Sequence, residues 1–411
     1  MSTGTMRRET SNSDITRPVG PGAEPAAPVM HEDHPMGAAV ALATLAAAAF
    51  CFVTNESVPV GLQPTMARGL HVSVPAIGLL VTTYAVVVAV MSVPLTNLTK
   101  DLPRRQVLAV VLGTFSLAAL GSSLTNSYWW LMAMRLLMAF AHSVFWSIAV
   151  VTAASLFPAR IRARAIAGVL GGGSVAVVLG VPAATWLGQQ GGWHLPFLVL
   201  SGLGVALAAA CLYALPPYHP QVTHASTGSA PDRGRYLMVT GATVLVVTGY
   251  FCTYTYITTY LERVSHLVAQ SVPSALLVAG LGSIVGVVGA GALFDRHPKF
   301  ASIAPAGALL AGMAVLFALG TWAWAAIAVS TLASLALTAF NIANQNRILV
   351  VAPGSTDVAN AWASAAFNVG IAAGSLGGGA VLGLAGPHAV PAFAVIALAG
   401  GLLLVVGEVR H

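Results

Sequence analysis

Twelve predominantly apolar stretches follow one another along the chain, separated by short polar turns, and are centred near residues 48, 85, 115, 140, 176, 204, 248, 282, 311, 335, 370 and 398. Each is about 20 residues long, which is the length that an α-helix needs to cross the hydrocarbon of a bilayer. Because lipid offers no hydrogen-bond partner to backbone groups, such runs must be helical. The sequence therefore predicts an all-α membrane protein with twelve transmembrane helices. Only 7% of the residues are charged and 57% are apolar, a composition that excludes an ordinary soluble domain.

Two polar segments interrupt this pattern and divide the chain. Residues 1–36 are rich in Ser, Thr, Pro, Gly and acidic side chains and have no apolar face, which predicts a disordered tail. The tail is not expected to be a signal peptide, because it lacks an apolar core close to its start. Residues 216–235 follow the sixth apolar run and predict a central loop. The apolar runs thus form two six-helix bundles, at residues 37–215 and 236–411.

The basic residues predict the orientation of the chain in the membrane. Fifteen of the 18 Lys and Arg residues fall on the side shared by the two termini and the central loop. Only Arg68 and Arg263 fall on the opposite side, and Arg135 lies within an apolar run. By the positive-inside rule, both termini are expected in the cytoplasm, with the chain in the cell (plasma) membrane. The net charge of +6 then reflects topology and contact with anionic lipid, with no indication of nucleic-acid binding.

Two pairs of matching features indicate that the six-helix unit is duplicated. The turn KDLPRR after the second run resembles the turn DRHPK after the eighth, 195 residues later. Small residues also recur at every fourth position, at 168–184 in the fifth run and 366–378 in the eleventh, and such stripes let helix backbones approach closely. Each stripe alone is also typical of tight packing in any membrane protein. Together the features predict two pseudo-symmetric bundles that rock about a central site, with gating positions at Asp101, Arg104, Arg105, Gly172, Gly180, Asp295 and Arg296.

Glu56 is the only acidic residue that the hydropathy pattern places well inside an apolar run. An ionisable side chain at membrane depth is energetically costly and by default indicates function. One interpretation is that the first helix has already left the hydrocarbon at Glu56 and that the carboxylate is hydrated. The apolar run continues past Glu56, however, which favours a carboxylate that faces a cavity and takes up and releases a proton.

The fourth run places Arg135, Ala139, His142 and Trp146 at helical spacing on one face. An arginine that faces lipid is implausible, so this face is expected to point into the bundle. Arg135 and His142 are candidates for proton coupling, and Trp146 for stacking against a sugar or a planar drug. The alternatives are a structural carbonyl clamp or ion pair, a helix-to-helix hydrogen bond, and space filling.

Aromatic and amide side chains in later runs predict the wall of a polar cavity. The seventh run contains four tyrosines, at positions 250, 254, 256 and 260, and amides recur in the tenth and eleventh runs. Such groups suit a neutral polyhydroxylated ligand and suit a polar drug almost as well; interhelical hydrogen bonding is the structural alternative. The predicted substrate-binding residues are Asn55, Trp146, Tyr250, Tyr254, Asn341, Asn344 and Asn368.

Several of these segments resemble the major facilitator superfamily. The most specific are NESVPVGL (55–62), YAVVVAVMSVP (84–94), RLLMAFAHSVFWSI (135–148), VLGVP (178–182), GQQGGW (188–193), TDVAN (356–360) and FNVGI (367–371). Within the superfamily, the chain is most similar to the twelve-span drug:proton antiporter branch and to bacterial sugar (arabinose-type) efflux permeases. The resemblance implies a central cavity and export in exchange for protons. It also implies functional roles for Glu56, Arg135 and His142, and it adds Pro182 to the conformational positions.

The sequence departs from the family pattern in two places. The loop signature between spans two and three appears as NLTKDLPRR (97–105), without the family's Asp-Arg order, and is better kept as GALFDRHPK (291–299) after span eight. In addition, Thr258 and Thr259 stand where the sugar exporters often have Glu-Pro. Substrate choice therefore does not carry over directly from them.

Other classes of membrane protein fit the sequence less well. A primary pump would need a phosphate-binding GxxxxGK[ST] loop or a nucleotide domain, and neither motif is present. A membrane enzyme would need several convergent acids, histidines or a metal cluster. Cys51, Cys211 and Cys252 have no metal-ligand or disulfide spacing. We therefore expect no enzyme activity, cofactor or metal; the partners are a small-molecule substrate, protons and lipid, and the chain is expected to be a monomer. A non-transporting membrane sensor remains the alternative from another class.

Overall fold

The computed structural model of the protein describes residues 1, 35–99, 102–215, 228–354 and 356–410. Over these residues the regular structure is helical, without a strand, and twelve helices are long and apolar enough to cross a membrane. The predicted fold class is therefore confirmed. Most of the predicted tail and central loop lies outside the described residues, as does Asp101. The first helix begins at Pro35 and the seventh span at Arg233, so both polar segments end slightly earlier than the sequence indicated.

The first half of the chain forms spans one to six. Its helices are α1 (Pro35–Gly61), α2 (Gln63–Gly69), α3 (Val74–Thr99), α4 (Arg104–Ser123), α5 (Tyr128–Ser155), α6 (Ala159–Val175), α7 (Val181–Gly191) and α8 (His194–Ala214). A π-helical segment, Ala176–Gly180, joins α6 to α7, so these three together make span five. The short helix α2 is an extension of span one at the end away from the termini.

The second half repeats this order of helices. Its helices are α9 (Arg233–Tyr254), α10 (Ile257–Arg263), α11 (Val272–Arg296), α12 (Pro298–Leu319), α13 (Ala323–Val351), α14 (Thr356–Ala385) and α15 (Val390–Arg410). Short 3₁₀ turns at Ala269–Ser271 and Pro387–Ala389 precede α11 and α15. The break between α9 and α10 corresponds to the break between α1 and α2, because α10 begins 194 residues after α2. The seventh span is thus followed by a short separate helix, as the first span is.

The stripes of small residues pack equivalent pairs of helices in the two halves. In the first half, a Cβ at Gly172 of α6 would lie 2.7 Å from the carbonyl carbon of Ala46 on α1. In the second half, a Cβ at Gly374 of α14 would lie 2.8 Å from the backbone nitrogen of Cys252 on α9. Span five thus packs on span one as span eleven packs on span seven. This equivalence supports a duplicated six-helix unit, and it places both stripes at contacts within a half.

Hydrogen bonds join the two halves at the end away from the termini. The threonines of α10 donate to the first half: Thr259 to the Gln63 side chain at 2.8 Å, and Thr258 to the Gly61 carbonyl at 3.5 Å. Two further hydrogen bonds join Gln189 to the Ala269 carbonyl (2.7 Å) and Ser375 to the Gly78 carbonyl (2.9 Å). Near mid-span, Gly280 packs against the backbone of the π-helical segment. The structure is therefore closed at this end, which we call the outer end.

One acidic residue, Glu262, lies at the outer end between basic residues of both halves. It is half-buried on α10 and interacts electrostatically with Arg68 on α2 and Arg263 beside it. Burial raises the pKa of the Glu262 carboxyl, and the two guanidinium groups oppose this rise. Glu262 thus belongs to the surface on which the halves meet.

Candidate functional site

Arg135 on α5 binds the backbone of α1 at the point where a proline interrupts that helix. Pro59 has no N–H, so the carbonyl of Asn55, four residues earlier, receives no helical hydrogen bond. The wholly buried Arg135 guanidinium donates instead to the carbonyls of Asn55 at 2.8 Å and Glu56 at 3.1 Å. Arg135 therefore faces the bundle interior, as predicted, and clamps two carbonyls with the forked geometry that a guanidinium provides.

Tyr84 on α3 connects Arg135 to His142. The Arg135 guanidinium carbon lies 4.5 Å from the centre of the Tyr84 ring, a cation–π distance. The Tyr84 hydroxyl forms a 2.8 Å hydrogen bond with Nδ1 of His142. Sequence reasoning quoted Tyr84 only as part of a family segment and missed this role. The sequence did contain a signal for this role, because Tyr84 is a hydroxylated aromatic residue in the middle of an apolar run.

Glu56 lies beside this cluster, where the two halves approach each other. Its side chain is partly exposed, and among the described residues no basic side chain forms an ion pair with its carboxylate. It interacts electrostatically with Arg135 of its own half and with Tyr254 of the other half. Tyr254 also lies within hydrogen-bonding reach of Ser57, the next residue along α1. A carboxylate in this position is accessible to solute and is near groups of both halves.

Aromatic residues of both halves surround the same region. Trp146 is partly exposed, and its ring centre lies 6.2 Å from that of His142. On α9, Tyr250 and Tyr254 stack with ring centres 5.2 Å apart. Phe251 contacts Tyr254 at 5.5 Å, and Phe367 of α14 at 6.2 Å. These rings give the region a largely aromatic surface.

Two of the four tyrosines of the seventh run, neither of them a predicted substrate-binding residue, lie away from this region. Tyr256 and Tyr260 are at most 2% exposed, and their hydroxyls donate to the backbone carbonyls of Ser375 and Leu316 at 2.8 and 2.7 Å. These two residues follow the break after Tyr254 and pack α10 against its neighbours. Tyr250 and Tyr254 lie before the break.

The predicted amide residues are not all brought together. Asn55 is fully buried and donates to the sulfur of Met138, and Asn344 donates to Thr243 at 2.7 Å, which links α13 to α9. Both therefore make interhelical hydrogen bonds in this conformation. Asn341 and Asn368 are partly exposed, and Asn368 donates to a carbonyl of its own helix, at Ser364. These two amides remain accessible to a solute.

The predicted gating positions lie at helix ends and at helix contacts. Arg104 is buried at the start of α4 and Arg105 is partly exposed, whereas Arg296 is exposed at the end of α11. Pro182 is buried in the first turn of α7, where a missing N–H is tolerated. Gly180 packs on Thr54 of α1, as Gly172 packs on Ala46. Asp101 and the side chain of Asp295 lie outside what the structure describes.

A buried carboxylate that sequence reasoning missed lies near the end of α15. Glu408 is 1% exposed and accepts hydrogen bonds from Arg235 at 3.0 and 2.8 Å; its other carboxylate oxygen pairs with Arg347. Glu56 is thus not the only acid inside a span. The signal in the sequence was the acid of VVGEVR (405–410), which directly follows the last apolar run and belongs to the last helix.

The described residues contain no group of three or more His, Cys, Asp and Glu side chains arranged to hold a metal ion. The three cysteines are buried as free thiols. The site therefore consists of arginine, histidine and tyrosine side chains inside the first half, together with one partly exposed carboxylate, Glu56, that lies near Tyr254 of the second half.

Comparison with known proteins yields a family and a fold. The profile of the Major Facilitator Superfamily matches residues 45–355. The structure is also similar, with a TM-score of 0.65, to that of a bacterial homologue of the human lysosomal transporter Spinster, solved in an inward-facing and unoccupied conformation. The similarity covers 91% of this chain and 94% of that one, at 16% sequence identity, a level that supports a shared fold.

Proposed function

Because the chain belongs to the Major Facilitator Superfamily and is thus a multi-pass membrane transporter, we propose that it exports sugars or related small polar molecules in exchange for protons. Transport would follow alternating access, with the outer end closed in the conformation described above. We further propose that the protein acts as a monomer in the cell membrane, with both termini in the cytoplasm.

The observation that carries the proposal is the environment of Glu56. Its carboxylate is accessible, has no ion-pair partner among the described residues, and interacts electrostatically with groups of both halves. A carboxylate in such a position can gain or lose a proton without breaking a structural ion pair. Opening of the outer end would separate Tyr254 from α1 and change the surroundings of Glu56. The proton affinity of Glu56 would then depend on the conformation, which is the requirement for coupling.

The composition of the surrounding wall supports a small polar substrate. Trp146 and Tyr254 offer aromatic faces, and Ser57, Asn341 and Asn368 offer partly exposed hydroxyl and amide groups. Aromatic faces combined with neutral hydrogen-bonding groups suit a polyhydroxylated molecule. Anionic substrates fit this wall less well, since the Glu56 carboxylate is partly exposed at its centre.

A second candidate is the export of drugs or antibiotics by the same mechanism. The contacts of Phe251 with Tyr254 and Phe367 favour it, because they extend the aromatic surface beyond what a sugar requires. A counterflow screen of labelled pentoses, hexoses and antibiotics in proteoliposomes distinguishes the two candidates. A protein that moves none of these solutes would favour the non-transporting sensor.

The decisive test of proton coupling is Glu56→Gln in proteoliposomes. The amide keeps the shape of the side chain but cannot titrate, so accumulation driven by a pH gradient should stop while substrate exchange continues. Glu262→Gln is the matched control, since it removes a carboxylate at the outer end and should leave coupling intact. Gradient-driven accumulation at the wild-type rate in Glu56→Gln would reject the proposal. Loss of both activities together with stability would indicate a structural role for Glu56.

The orientation has its own test. Alkaline phosphatase, which is active only outside the cytoplasm, is fused after His411. We expect no phosphatase activity from the fusion in intact cells, and high activity from a fusion within the turn after α2. Strong activity at His411 would overturn the proposed orientation.

A further inference from the structure

The second half contains a basic pocket at the same end as the C-terminus. We propose that this pocket binds the phosphate of an anionic lipid headgroup. The pocket is a cavity of about 640 Å³, and its polar lining consists of Arg235, Lys299, Arg347, Ser229, Ser302 and Asn346. This inference concerns a region remote from Glu56 and does not depend on the proposed function.

The pocket lies at the boundary of the membrane because the ends of four spans form it. Arg235 is in the first turn of α9, Lys299 is the second residue of α12, and Arg347 is near the end of α13. Val409, near the end of α15, completes the wall. The segment that leads into α9 runs along the rim of the pocket. It is held there by hydrogen bonds from the backbone N–H groups of Ala230 and Asp232 to the last carbonyls of α13.

Among the described residues, the pocket has an excess of positive charge. Three cationic side chains lie near one carboxylate, Glu408, whose two oxygens are already engaged by Arg235 and Arg347. The Arg347 side chain is only 13% exposed, so water hydrates it poorly. Asp232 is the only acid between residues 216 and 235, and its side chain caps α9 by accepting from the Arg235 backbone N–H. An anionic ligand would therefore compensate charge that the surrounding protein leaves unbalanced.

The apolar rim of the pocket favours a lipid over a free anion. Leu349 and Val350 line the cavity and are 43% and 40% exposed, on a helix that crosses the membrane. Acyl chains can pack on this rim while the headgroup phosphate accepts hydrogen bonds from the arginines, the serines and Asn346. Basic pockets between transmembrane helices bind anionic headgroups in this way.

The test compares lipid retention by the full-length chain and two charge variants. Protein in neutral detergent is mixed with phosphatidylglycerol or phosphatidylcholine, and bound lipid is measured by native mass spectrometry. Lys299→Gln removes one exposed positive charge from the pocket, and Arg160→Gln removes one from the first turn of α6, also exposed. One basic group near an anionic lipid changes affinity about fivefold. We expect phosphatidylglycerol retention to fall by about that factor in Lys299→Gln and to stay unchanged in Arg160→Gln.

Four outcomes would overturn the proposal. Equal losses in the two variants would indicate general surface attraction. Equal retention of the two lipids would show that the net negative charge of the headgroup is not recognised. Displacement of the lipid by inorganic phosphate at equal concentration would indicate a site for a free anion. If phosphatidylglycerol is retained only after deletion of residues 2–34, the acidic tail and not a lipid occupies the pocket in the full-length chain. Unchanged melting of Lys299→Gln without added lipid serves as the control for folding.

Discussion

Adjacent glycines on α6 provide a matched pair that tests how closely spans one and five approach. A Cβ at Gly172 would lie 2.7 Å from the carbonyl carbon of Ala46 and 3.0 Å from its Cα, both rigid backbone atoms of α1. A Cβ at Gly171 would meet no atom within 4 Å. The two positions share the same helix and the same residue type, so replacement by alanine changes helix propensity equally at both.

The expected difference follows from these contacts. Alanine favours a helix over glycine by about 1 kcal/mol, and both variants gain this term. Only Gly172→Ala must also push α6 away from α1, and such overpacking costs about 1–3 kcal/mol. The free energy of unfolding of Gly172→Ala should therefore be lower than that of Gly171→Ala by about 1–3 kcal/mol.

The assay is unfolding in mixed micelles of a mild detergent and increasing sodium dodecyl sulfate, followed by tryptophan fluorescence. Transport per folded molecule is measured in parallel. Because the Gly172 contact lies within one half, we expect Gly172→Ala protein that remains folded to transport at a near-normal rate. Equal stability of the two variants would refute the close packing. Normal stability with lost transport would instead assign Gly172 to the rocking of the halves.

Three further perturbations test the contacts described above. Tyr84→Phe keeps the ring beside Arg135 but removes the hydroxyl bonded to the α5 histidine, so gradient-driven transport should fall and its pH profile should shift; an unchanged profile would assign Tyr84 to packing alone. Thr259→Val leaves its buried glutamine partner on α2 unpaired, at a cost of about 1–3 kcal/mol to the closed outer end. Labelling of Ser57→Cys by a membrane-impermeant maleimide from outside should then rise, and unaltered labelling would contradict this role. Glu262 has a raised pKa, so the folded protein holds its proton more tightly than the unfolded chain, and this contribution to stability is lost as pH rises through that pKa. Glu262→Gln should therefore stabilise the protein at neutral pH, with a gain that disappears in acid; an equal gain at every pH would exclude titration as the cause.

Sequence patterns were sufficient for features that depend on local composition. The number of spans follows from the length of apolar runs, since hydrocarbon forces every backbone group into a helix. The stripe containing Gly172 correctly indicated a close helix contact, because spacing by four places small side chains on one face. The same reasoning placed Arg135 on an interior face, because its charge excludes contact with lipid.

The partners of these groups depended on contacts between distant parts of the chain. Arg135 binds the Asn55 carbonyl across 80 residues of sequence, Thr259 binds Gln63 across 196, and Arg235 binds Glu408 across 173. Hydropathy carries no information about such pairs, since it describes each helix alone. Proline at position 59 was visible in the sequence, but the buried guanidinium that satisfies the carbonyl it frees comes from another helix. The sequence by itself thus determined which segments cross the membrane and which faces pack closely, whereas the tertiary structure decided which polar groups are paired inside the protein and which, such as Glu56, stay accessible to solute.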